Sequence, residues 1–325
     1  MFKKLGKLSL VFGLCLSLGL SSCSFNETVE DYPEVVKENS TTTTTSVEES
    51  TTTTSESTTT TTTTESPTTT TTESTTTTEA TTVESTEPAG EVDIKRDKDF
   101  PSFNAGEVNQ AIRNGKALAE GKKYCFLTYD DGINTESTPV LLDLLDKQNV
   151  PATFFILGRS ITNESAPIIK RAIKEGHGIG LHSFDHEYGN LYPGRNADPA
   201  NIEAQYLKAS EALKSVLGED YPCTLWRYPG GHMSWHNMDA ADAVLSKYNV
   251  NWIDWNVVNN DASNNMPTTV DGQMEVIKST FTMYGEPDTV VVLMHDYPSK
   301  NITREALPSI VKYFKDKGYE FARLY

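Results

Sequence analysis

Two histidines four residues apart are the clearest chemical feature of the sequence. His182 and His186 form a His-x-x-x-His pair directly after a short β-rich run, and the chain contains only six histidines. Imidazoles at this spacing face the same way on a helical turn, so they can bind one metal ion. Asp130 and Asp131 close another apolar run, and adjacent carboxylates repel each other unless a cation or a proton separates them. Two histidines and one carboxylate are a ligand set for Zn²⁺ or another divalent first-row ion.

Each of the other polar positions has a chemical and a purely structural interpretation. Asp131 and the following glycine could simply begin a turn. Arg227 could form a bidentate pair with a carboxylate, and the glycine pair at Gly230 could let backbone N–H groups approach a ligand, but a plain turn explains the segment equally well. His295 follows an apolar run, a place where a lone histidine is often structural.

From about residue 122 onward, short β-rich runs alternate with helical patterns. The predicted strands are 124–129, 153–157, 178–182, 223–227, 251–256, 290–295 and 319–323, and the predicted helices are 139–148, 166–175, 202–217, 238–247, 270–281 and 304–317. Continuous apolar strands of this kind are buried on both faces, and strict alternation indicates a parallel sheet. Polar residues follow several strand ends, which converge on one rim in a barrel, so we predict an α/β barrel of about seven units.

The N-terminus resembles an export signal. Lys3, Lys4 and Lys7 precede an apolar run over 8–20, which is too short for a lasting membrane helix of roughly 20 residues. The run ends in Leu-Ser-Ser-Cys23, which resembles the lipobox of bacterial lipoproteins, in which this cysteine carries the lipid. The alternative is an ordinary signal peptide with a chance cysteine nearby. We expect a signal over 1–22 and a lipid on Cys23.

A threonine-rich segment follows. Of residues 41–90, 28 are Thr and eight are Glu, with no Lys or Arg, so this segment cannot bury enough apolar surface to fold. We therefore expect a disordered tether over 23–90, a lead-in over 91–120 and one folded domain over 121–325. About 50 such residues span roughly 40 Å as a coil. A lipid anchor on this tether would hold the domain outside the membrane, within reach of an extracellular polymer.

The net charge bears on the binding partner of the domain, and the positions of the cysteines bear on whether they bind metal or form a disulfide. The formal net charge is -17, and about half of it lies in residues 91–325. An acidic domain repels phosphate backbones, so we expect no nucleic-acid partner. Cys125 and Cys223 lie in apolar segments without metal-binding spacing, which leaves two alternatives, buried thiols or a disulfide.

Four ordered motifs carry a family resemblance. Four segments resemble the motifs of polysaccharide deacetylases, a family also called the NodB-homology group or carbohydrate esterase family 4. These segments are Thr-Tyr-Asp-Asp-Gly, His-Ser-Phe-Asp-His, Arg-Tyr-Pro-Gly-Gly and Leu-Met-His-Asp. The resemblance covers about 122–325. It implies a distorted (β/α) barrel that binds one divalent metal, commonly Zn²⁺, with Co²⁺, Ni²⁺ or Mn²⁺ as alternatives, and that removes acetyl groups from N-acetylated sugars in polymers.

The resemblance also implies a role for individual residues. The metal ligands would be Asp131, His182 and His186. Asp130 would be the general base, oriented by Arg227, and His295 would be the general acid, paired with Asp261. The residues that contact the substrate would be Tyr228, Gly230 and Trp235. A backbone N–H near Gly230 would help hold the oxyanion. The contact by Trp235 has an equally good alternative, decoration of a surface loop.

The sequence departs from the family pattern at three places. Tyr129 replaces the commoner Phe, Gly230 stands where many members have Tyr, and Ala262 follows Asp261 where a Trp is frequent. We expect a lipid-anchored, monomeric deacetylase on the outer face of a bacterial cell membrane that acts on N-acetylglucosamine in peptidoglycan. The alternatives are an O-acetyl esterase on xylan-like polymers and a catalytically silent glycan-binding lipoprotein.

Overall fold

The computed structural model describes residues 96–325. The expected signal peptide, Cys23, the tether and residues 91–95 of the lead-in lie outside the described residues. Within residues 96–325, no helix is both long and apolar enough to cross a membrane.

The described part of the chain alternates between strands and helices. The strands are β1 (Ser102–Phe103), β2 (Tyr124–Asp130), β3 (Thr153–Ile156), β4 (Gly178–Leu181), β5 (Leu225–Trp226), β6 (Asn251–Trp252), β7 (Val257–Val258), β8 (Thr289–His295), β9 (Glu320–Phe321) and β10 (Arg323–Leu324). The helices are α1 (Ala105–Asn114), α2 (Ser137–Gln148), α3 (Ala166–Lys174), α4 (Tyr188–Leu191), α5 (Pro199–Leu217), α6 (Met238–Ser246), α7 (Val270–Met283) and α8 (Asn301–Asp316).

The main sheet is parallel and curls into a half-barrel. Its strand order is β6-β5-β4-β3-β2-β8-β7, β9 pairs with the start of β2, and β1 pairs with β10. Strands β2 and β8 form the longest ladder, from Tyr124 opposite Thr289 to Asp130 opposite His295. The predicted barrel of about seven parallel units is confirmed as this curled sheet of seven strands with helices around it.

Strand β2 separates two apolar layers because successive side chains point to opposite faces. Cys125, Leu127 and Tyr129 belong to the layer between the sheet and the helices, whereas Phe126 belongs to the smaller cluster inside the curl. Asp130 has the same parity as Phe126, so it ends the inner row at the carboxyl edge of the strand. The central strand therefore delivers a carboxylate to the mouth of the half-barrel.

Two predicted strands differ from those in the structure. The predicted strand 251–256 is wrong beyond Trp252, where β6 ends; the next strand, β7, begins only at Val257 and pairs with β8, at the opposite end of the sheet from β6 and β5. The chain crosses between them over 253–256, where the Asn256 side chain bonds the β8 backbone: its Nδ2 donates to Thr289 O at 2.9 Å and its Oδ1 accepts from Val291 N at 2.8 Å. The predicted strand 319–323 divides into β9 and β10 around Ala322.

The lead-in contains structure that the sequence analysis left unassigned. Strand β1 and helix α1 lie there, and the side chain of Asn104 caps α1 by accepting from Gly106 N at 2.9 Å. Ala105 and Val108 are fully buried in the inner cluster. Residues 102–114 of the lead-in are therefore part of the folded domain.

The two cysteines of the domain are buried, free thiols. Burial raises the pKa of Cys125 well above its ordinary value and also raises the pKa of Cys223. Of the two alternatives from the sequence, the disulfide is wrong. A neutral thiol of this kind packs as a small apolar side chain.

Candidate active site

Four strand ends bring the predicted site residues together. Asp130 ends β2 and His295 ends β8, and the two are paired across the ladder. His182 and Arg227 directly follow β4 and β5. The carboxyl ends of parallel strands open on the same rim, so these side chains share one mouth of the half-barrel.

Asp131, His182 and His186 form a cluster with free ligand atoms. One ligand atom from each lies within 4.8 Å of the other two. Asp131 Oδ1 is 3.8 Å from Nε2 of His182 and 3.8 Å from Nε2 of His186, too far for hydrogen bonds. Within the described residues this Oδ1 atom is buried without a hydrogen-bond partner. A buried carboxylate oxygen that faces two imidazole nitrogens without bonding either fits a divalent cation between them.

The backbone conformation aims two of these ligands. Asp131 has φ +69° and His186 has φ +63°, a left-handed region that non-glycine residues rarely adopt. Ser183 Oγ accepts a hydrogen bond from His186 N at 3.0 Å and so closes the turn between the two histidines. Strained conformations of this kind persist only where the surrounding structure fixes them, and they concentrate at functional sites.

His182 is held as the neutral tautomer that a metal requires. Its Nδ1 lies 2.8 Å from the carbonyl oxygen of Arg227, and since a carbonyl only accepts, Nδ1 carries the proton and Nε2 keeps its lone pair. Burial, followed by the nearby His186, lowers the pKa of His182 to about 3. The ring is therefore uncharged throughout the physiological pH range.

Asp130 is a buried carboxylate whose two oxygens have different environments. Oδ1 accepts from Nη1 of Arg227 at 2.9 Å, whereas Oδ2 lies 3.7 Å from Nε2 of His182 and points toward the cluster. Burial raises the pKa of Asp130 above its ordinary value, although the positive charge of Arg227 opposes the shift. The carboxylate is thus fixed in place and is a stronger proton acceptor than an exposed aspartate.

Arg227 is fully buried and all three of its nitrogens are used. Nη1 also donates to Thr128 Oγ1 at 2.7 Å, Nε donates to Ile253 O at 3.1 Å, and Nη2 donates to Asp254 O at 3.2 Å. The guanidinium carbon lies 4.1 Å from the ring centroid of Phe155. The buried charge is therefore compensated by one carboxylate, three oxygen acceptors and an aromatic face.

His295 and Asp261 form a short charge-assisted hydrogen bond. His295 Nδ1 lies 2.7 Å from Asp261 Oδ1, and the backbone N–H of His295 donates to Oδ2 at 3.0 Å. Burial alone would lower the pKa of His295, but the bond and the charge of Asp261 outweigh it and raise the pKa to about 9. Burial alone would raise the pKa of Asp261, but the hydrogen bond and the charge of His295 outweigh it and lower that pKa. His295 is thus an imidazolium with Nδ1 occupied and Nε2–H left to donate.

The three expected substrate contacts lie on the loop after β5, in different settings. The Tyr228 side chain is fully buried and donates to Asp242 Oδ1 at 2.9 Å, so its expected contact with substrate is wrong for the side chain, which faces the core. Gly230 has φ +73°, and a Cβ there would lie 3.0 Å from Trp235 Cζ2 and 3.3 Å from Tyr188 Oη. The space that a side chain at 230 would need is already filled.

The Trp235 ring is packed between this loop and the segment that follows α4. It stacks on Tyr192 with ring centroids 4.0 Å apart, the Arg195 guanidinium lies 5.5 Å from its centroid, and its Nε1 donates to Pro229 O at 2.9 Å. These contacts fix the loop that carries Gly230. One face of the indole is therefore unavailable to a sugar.

Two carboxylates and one hydroxyl support the site in roles that the sequence does not predict. Asp296 accepts from Ser137 Oγ at 2.7 Å and from Thr138 Oγ1, which ties the end of β8 to the start of α2. Asp254 Oδ1 accepts from His232 N at 2.9 Å and so anchors the same loop as Gly230. Thr128 lies two residues before Asp130, on the same face of β2, and this period of two is the one signal that could have identified it.

Comparison with known proteins agrees with this geometry. A family model described as polysaccharide deacetylase matches residues 117–251. A peptidoglycan-N-acetylglucosamine deacetylase of Bacillus cereus is 31% identical over 223 residues, which cover 68% of this chain and 75% of that protein. The chain belongs to the polysaccharide deacetylase family.

Two solved structures show the same fold. A carbohydrate esterase family 4 esterase from Streptococcus mutans has 40% sequence identity and a TM-score of 0.65, and the match covers 69% of this chain and 92% of that one. The catalytic domain of a peptidoglycan N-acetylglucosamine deacetylase from Eubacterium rectale has 27% identity and a TM-score of 0.53, covering 64% of this chain and 91% of that one. The fold expected from the family resemblance is thereby confirmed.

Proposed function

We propose that this chain is a metal-dependent hydrolase that removes acetyl groups from N-acetylated sugars of an extracellular polysaccharide, with peptidoglycan N-acetylglucosamine as the substrate. One observation carries the proposal. Two paired strands, β2 and β8, end beside the cluster of Asp131, His182 and His186. The last residue of β2 is the fixed carboxylate Asp130, and the last residue of β8 is the imidazolium His295. Hydrolysis of an amide needs a base and an acid side by side, together with stabilisation of the oxyanion.

Asp130 acts as the general base. Arg227 fixes its Oδ1, which leaves Oδ2 directed toward the ligand cluster, where it accepts a proton from the attacking water. Its burial raises its pKa and so favours that transfer. Removal of the proton from water generates the nucleophile at the acetyl carbon.

His295 acts as the general acid. Because Nδ1–H donates its hydrogen bond to Asp261, Nε2–H is the group that can protonate the departing amine. A pKa of about 9 keeps the ring charged at neutral pH. The C–N bond breaks as the nitrogen receives this proton, and the products are acetate and a free amino sugar.

Asp131, His182 and His186 would hold the metal, which we propose is Zn²⁺, with Co²⁺, Ni²⁺ or Mn²⁺ as alternatives. A divalent ion bound there supplies a Lewis acid that polarises the acetyl carbonyl and lowers the pKa of water. Among the backbone groups nearby, Gly231 N–H already donates to Tyr228 O at 2.8 Å. We therefore assign the oxyanion contact to the N–H of Gly230.

The choice of substrate and location is supported by the relatives and the sequence. The Bacillus cereus and Eubacterium rectale relatives are named for peptidoglycan N-acetylglucosamine. We propose that residues 1–22 direct export, that Cys23 carries a lipid on the outer face of the cell membrane, and that the tether lets a monomeric domain reach the cell wall. The acidic charge of the chain fits a glycan partner better than a nucleic acid.

The decisive experiment measures acetyl loss. The full chain is incubated with Zn²⁺ and either purified peptidoglycan or chitin oligomers, and the products are weighed by mass spectrometry. We expect each product to lose 42 mass units per acetyl group removed, roughly the mass of ketene (C₂H₂O), and Asp130→Asn serves as the matched inactive control. If neither glycan loses acetyl groups in the presence of metal, the proposed function is rejected.

An O-acetyl esterase is the second candidate, because the Streptococcus mutans relative at 40% identity is described as an esterase. The same residues can hydrolyse either bond, but an amine leaves only when protonated, whereas an alcohol leaves more easily. His295→Ala should therefore reduce amide cleavage far more than ester cleavage. Acetylated xylan, assayed beside the chitin oligomers, distinguishes the two functions. A silent glycan-binding protein would need neither Asp130 nor His295.

A further inference from the structure

A group of buried neutral side chains lies behind the Asp261–His295 pair. Besides the two bonds from His295, the carboxylate of Asp261 accepts a third: Thr303 Oγ1 donates to Oδ2 at 2.8 Å. Thr303 is in helix α8 and is 1% exposed. Both carboxylate oxygens of Asp261 are thus held, one by the imidazole and the other by a backbone N–H and a hydroxyl.

The direction of the bond from Thr303 is fixed by two side-chain amides. Nε2 of Gln273 donates to Thr303 Oγ1 at 3.2 Å, and Nδ2 of Asn259 donates to the same oxygen at 3.3 Å. Because an amide nitrogen can only donate, the hydroxyl accepts both bonds, and its single proton is left for Asp261.

The orientation of the two amides is fixed in turn. Asn259 Oδ1 accepts from the backbone N–H of Asp261 at 3.2 Å, so its nitrogen must face Thr303. That nitrogen also donates to Gln273 Oε1 at 3.1 Å, so Gln273 likewise presents its nitrogen to the hydroxyl. Asn259 and Gln273 are 0% and 2% exposed, and a buried network with every member paired holds its geometry tightly.

We propose that Thr303 is a positioning residue for the general acid: its hydroxyl, oriented by Gln273 and Asn259, holds the carboxylate of Asp261 where it fixes the His295 ring. The inference rests on the proposed function of His295. Lys300 holds the backbone of the segment after β7, since its Nζ donates to Asp261 O at 2.7 Å. The charged groups around His295 are Asp130 and Asp131 at the end of β2, Asp261 after β7, and Lys300 before α8. Thr303 and Gln273 lie outside the four family motifs, on helices α8 and α7.

The kinetic test compares three variants of the full chain. Thr303→Val keeps the shape of the side chain but removes the hydroxyl, and we expect kcat to fall roughly 10- to 100-fold, the loss typical of an outer group that orients a reacting one, with KM unchanged. Thr303→Ser restores the hydroxyl and should restore kcat. The matched control is Thr289→Val, which removes a buried hydroxyl bonded to Lys116 O at the opposite end of β8 and should leave kcat unchanged.

A second readout needs no substrate. The chain has six histidines, so labelling with ¹⁵N-histidine gives a simple spectrum in which the Nδ1–H of His295 is identified by its absence in His295→Gln. We expect this proton to exchange slowly with water in the native chain and in Thr303→Ser, and rapidly in Thr303→Val. A merely structural hydroxyl would lower stability without changing the exchange of this proton.

The outcomes separate the two proposals. If the native chain removes no acetyl groups, the proposed function fails, while the exchange of the His295 proton still reports on positioning. If Thr303→Val keeps the native kcat and a slowly exchanging His295 proton, the positioning role is overturned. Should Thr303→Val fail to fold, Gln273→Met tests the same hydroxyl by removing one of the two amides that orient it. If Gln273→Met keeps the native kcat and the slow exchange of the His295 proton, the positioning role of Thr303 is likewise overturned.

Discussion

Replacement of Asp261 by Asn should move the alkaline limit of activity. In the structure the pKa of His295 is raised to about 9, chiefly by the hydrogen bond and the charge of Asp261 and to a smaller extent by the charges of Asp131 and Asp130. Asn can still accept a hydrogen bond but carries no charge. Burial, the opposing cause, then dominates, and the pKa of His295 should fall to the ordinary value of about 6.5 or below.

The size of the effect follows from the two protonated fractions. At pH 8 a group with a pKa of about 9 is about 90% protonated, whereas an ordinary histidine is about 3% protonated. Asp261→Asn should therefore lose about 30-fold in kcat/KM at pH 8 beyond any loss at pH 5.5. Activity requires the protonated form of His295, so it is present below the pKa of His295 and is lost above it. A lower pKa therefore moves the alkaline limit of kcat/KM to lower pH.

The assay is kcat/KM for a chitin oligomer between pH 5 and pH 10. Asp296→Asn is the matched control, because Asp296 adjoins His295 and is 1% exposed but bonds Ser137 and Thr138 instead. We expect the control to keep its alkaline limit. If Asp261→Asn has the same alkaline limit as the native chain, the assignment of His295 as an acid tuned by Asp261 is refuted.

Four further predictions concern the base, the metal, the anchor and the loop. Asp130→Asn keeps the shape of the side chain but cannot accept a proton, so it should bind metal normally and lose about 10²–10⁴-fold in kcat; retained activity would exclude it as the base. His182→Ala removes one ligand and should abolish stoichiometric metal with the fold kept, as judged by metal analysis and circular dichroism; full metal content would reject the ligand set. Cys23→Ala should release the protein from the membrane fraction to the medium, whereas unchanged retention would contradict the lipid anchor. Gly230→Ala places a Cβ 3.0 Å from Trp235 at φ +73°, so it should cost about 1–3 kcal/mol in the free energy of unfolding; an unchanged Tm would contradict that strain.

Residues at strand ends could be predicted from the sequence because the signal is local. Asp130, His182 and His295 each close a continuous apolar run, and the rim of a parallel sheet brings such positions together. The start of a helix is harder to predict. Helix α5 begins at Pro199 rather than at 202 because Asp198 caps it by accepting from Ala200 N, within a polar first turn that shows no apolar period.

The remaining features depend on contacts between distant residues. Nothing in residues 251–258 marks the point at which the chain leaves one end of the sheet for the other, since the break is made by bonds from Asn256 to β8. Thr303 is 42 residues from Asp261, and a threonine in a helix carries no local sign of such a bond. The motif that contains Tyr228 predicts a contact with substrate, but the side chain is directed away by its hydrogen bond to Asp242 on helix α6.

The contacts of Arg227 have a consequence for the order in which activity appears during folding. The side chain binds Asp130 from β2 and also the carbonyl groups of Ile253 and Asp254, on the segment that crosses from β6 to β7. Its charge is fully compensated only when all of these parts have met, and a buried charge that lacks its partner is costly by several kcal/mol. The base is therefore aligned only after β2, the end of β5 and the segment between β6 and β7 have assembled. Activity should therefore appear only when these separate parts of the chain have come together.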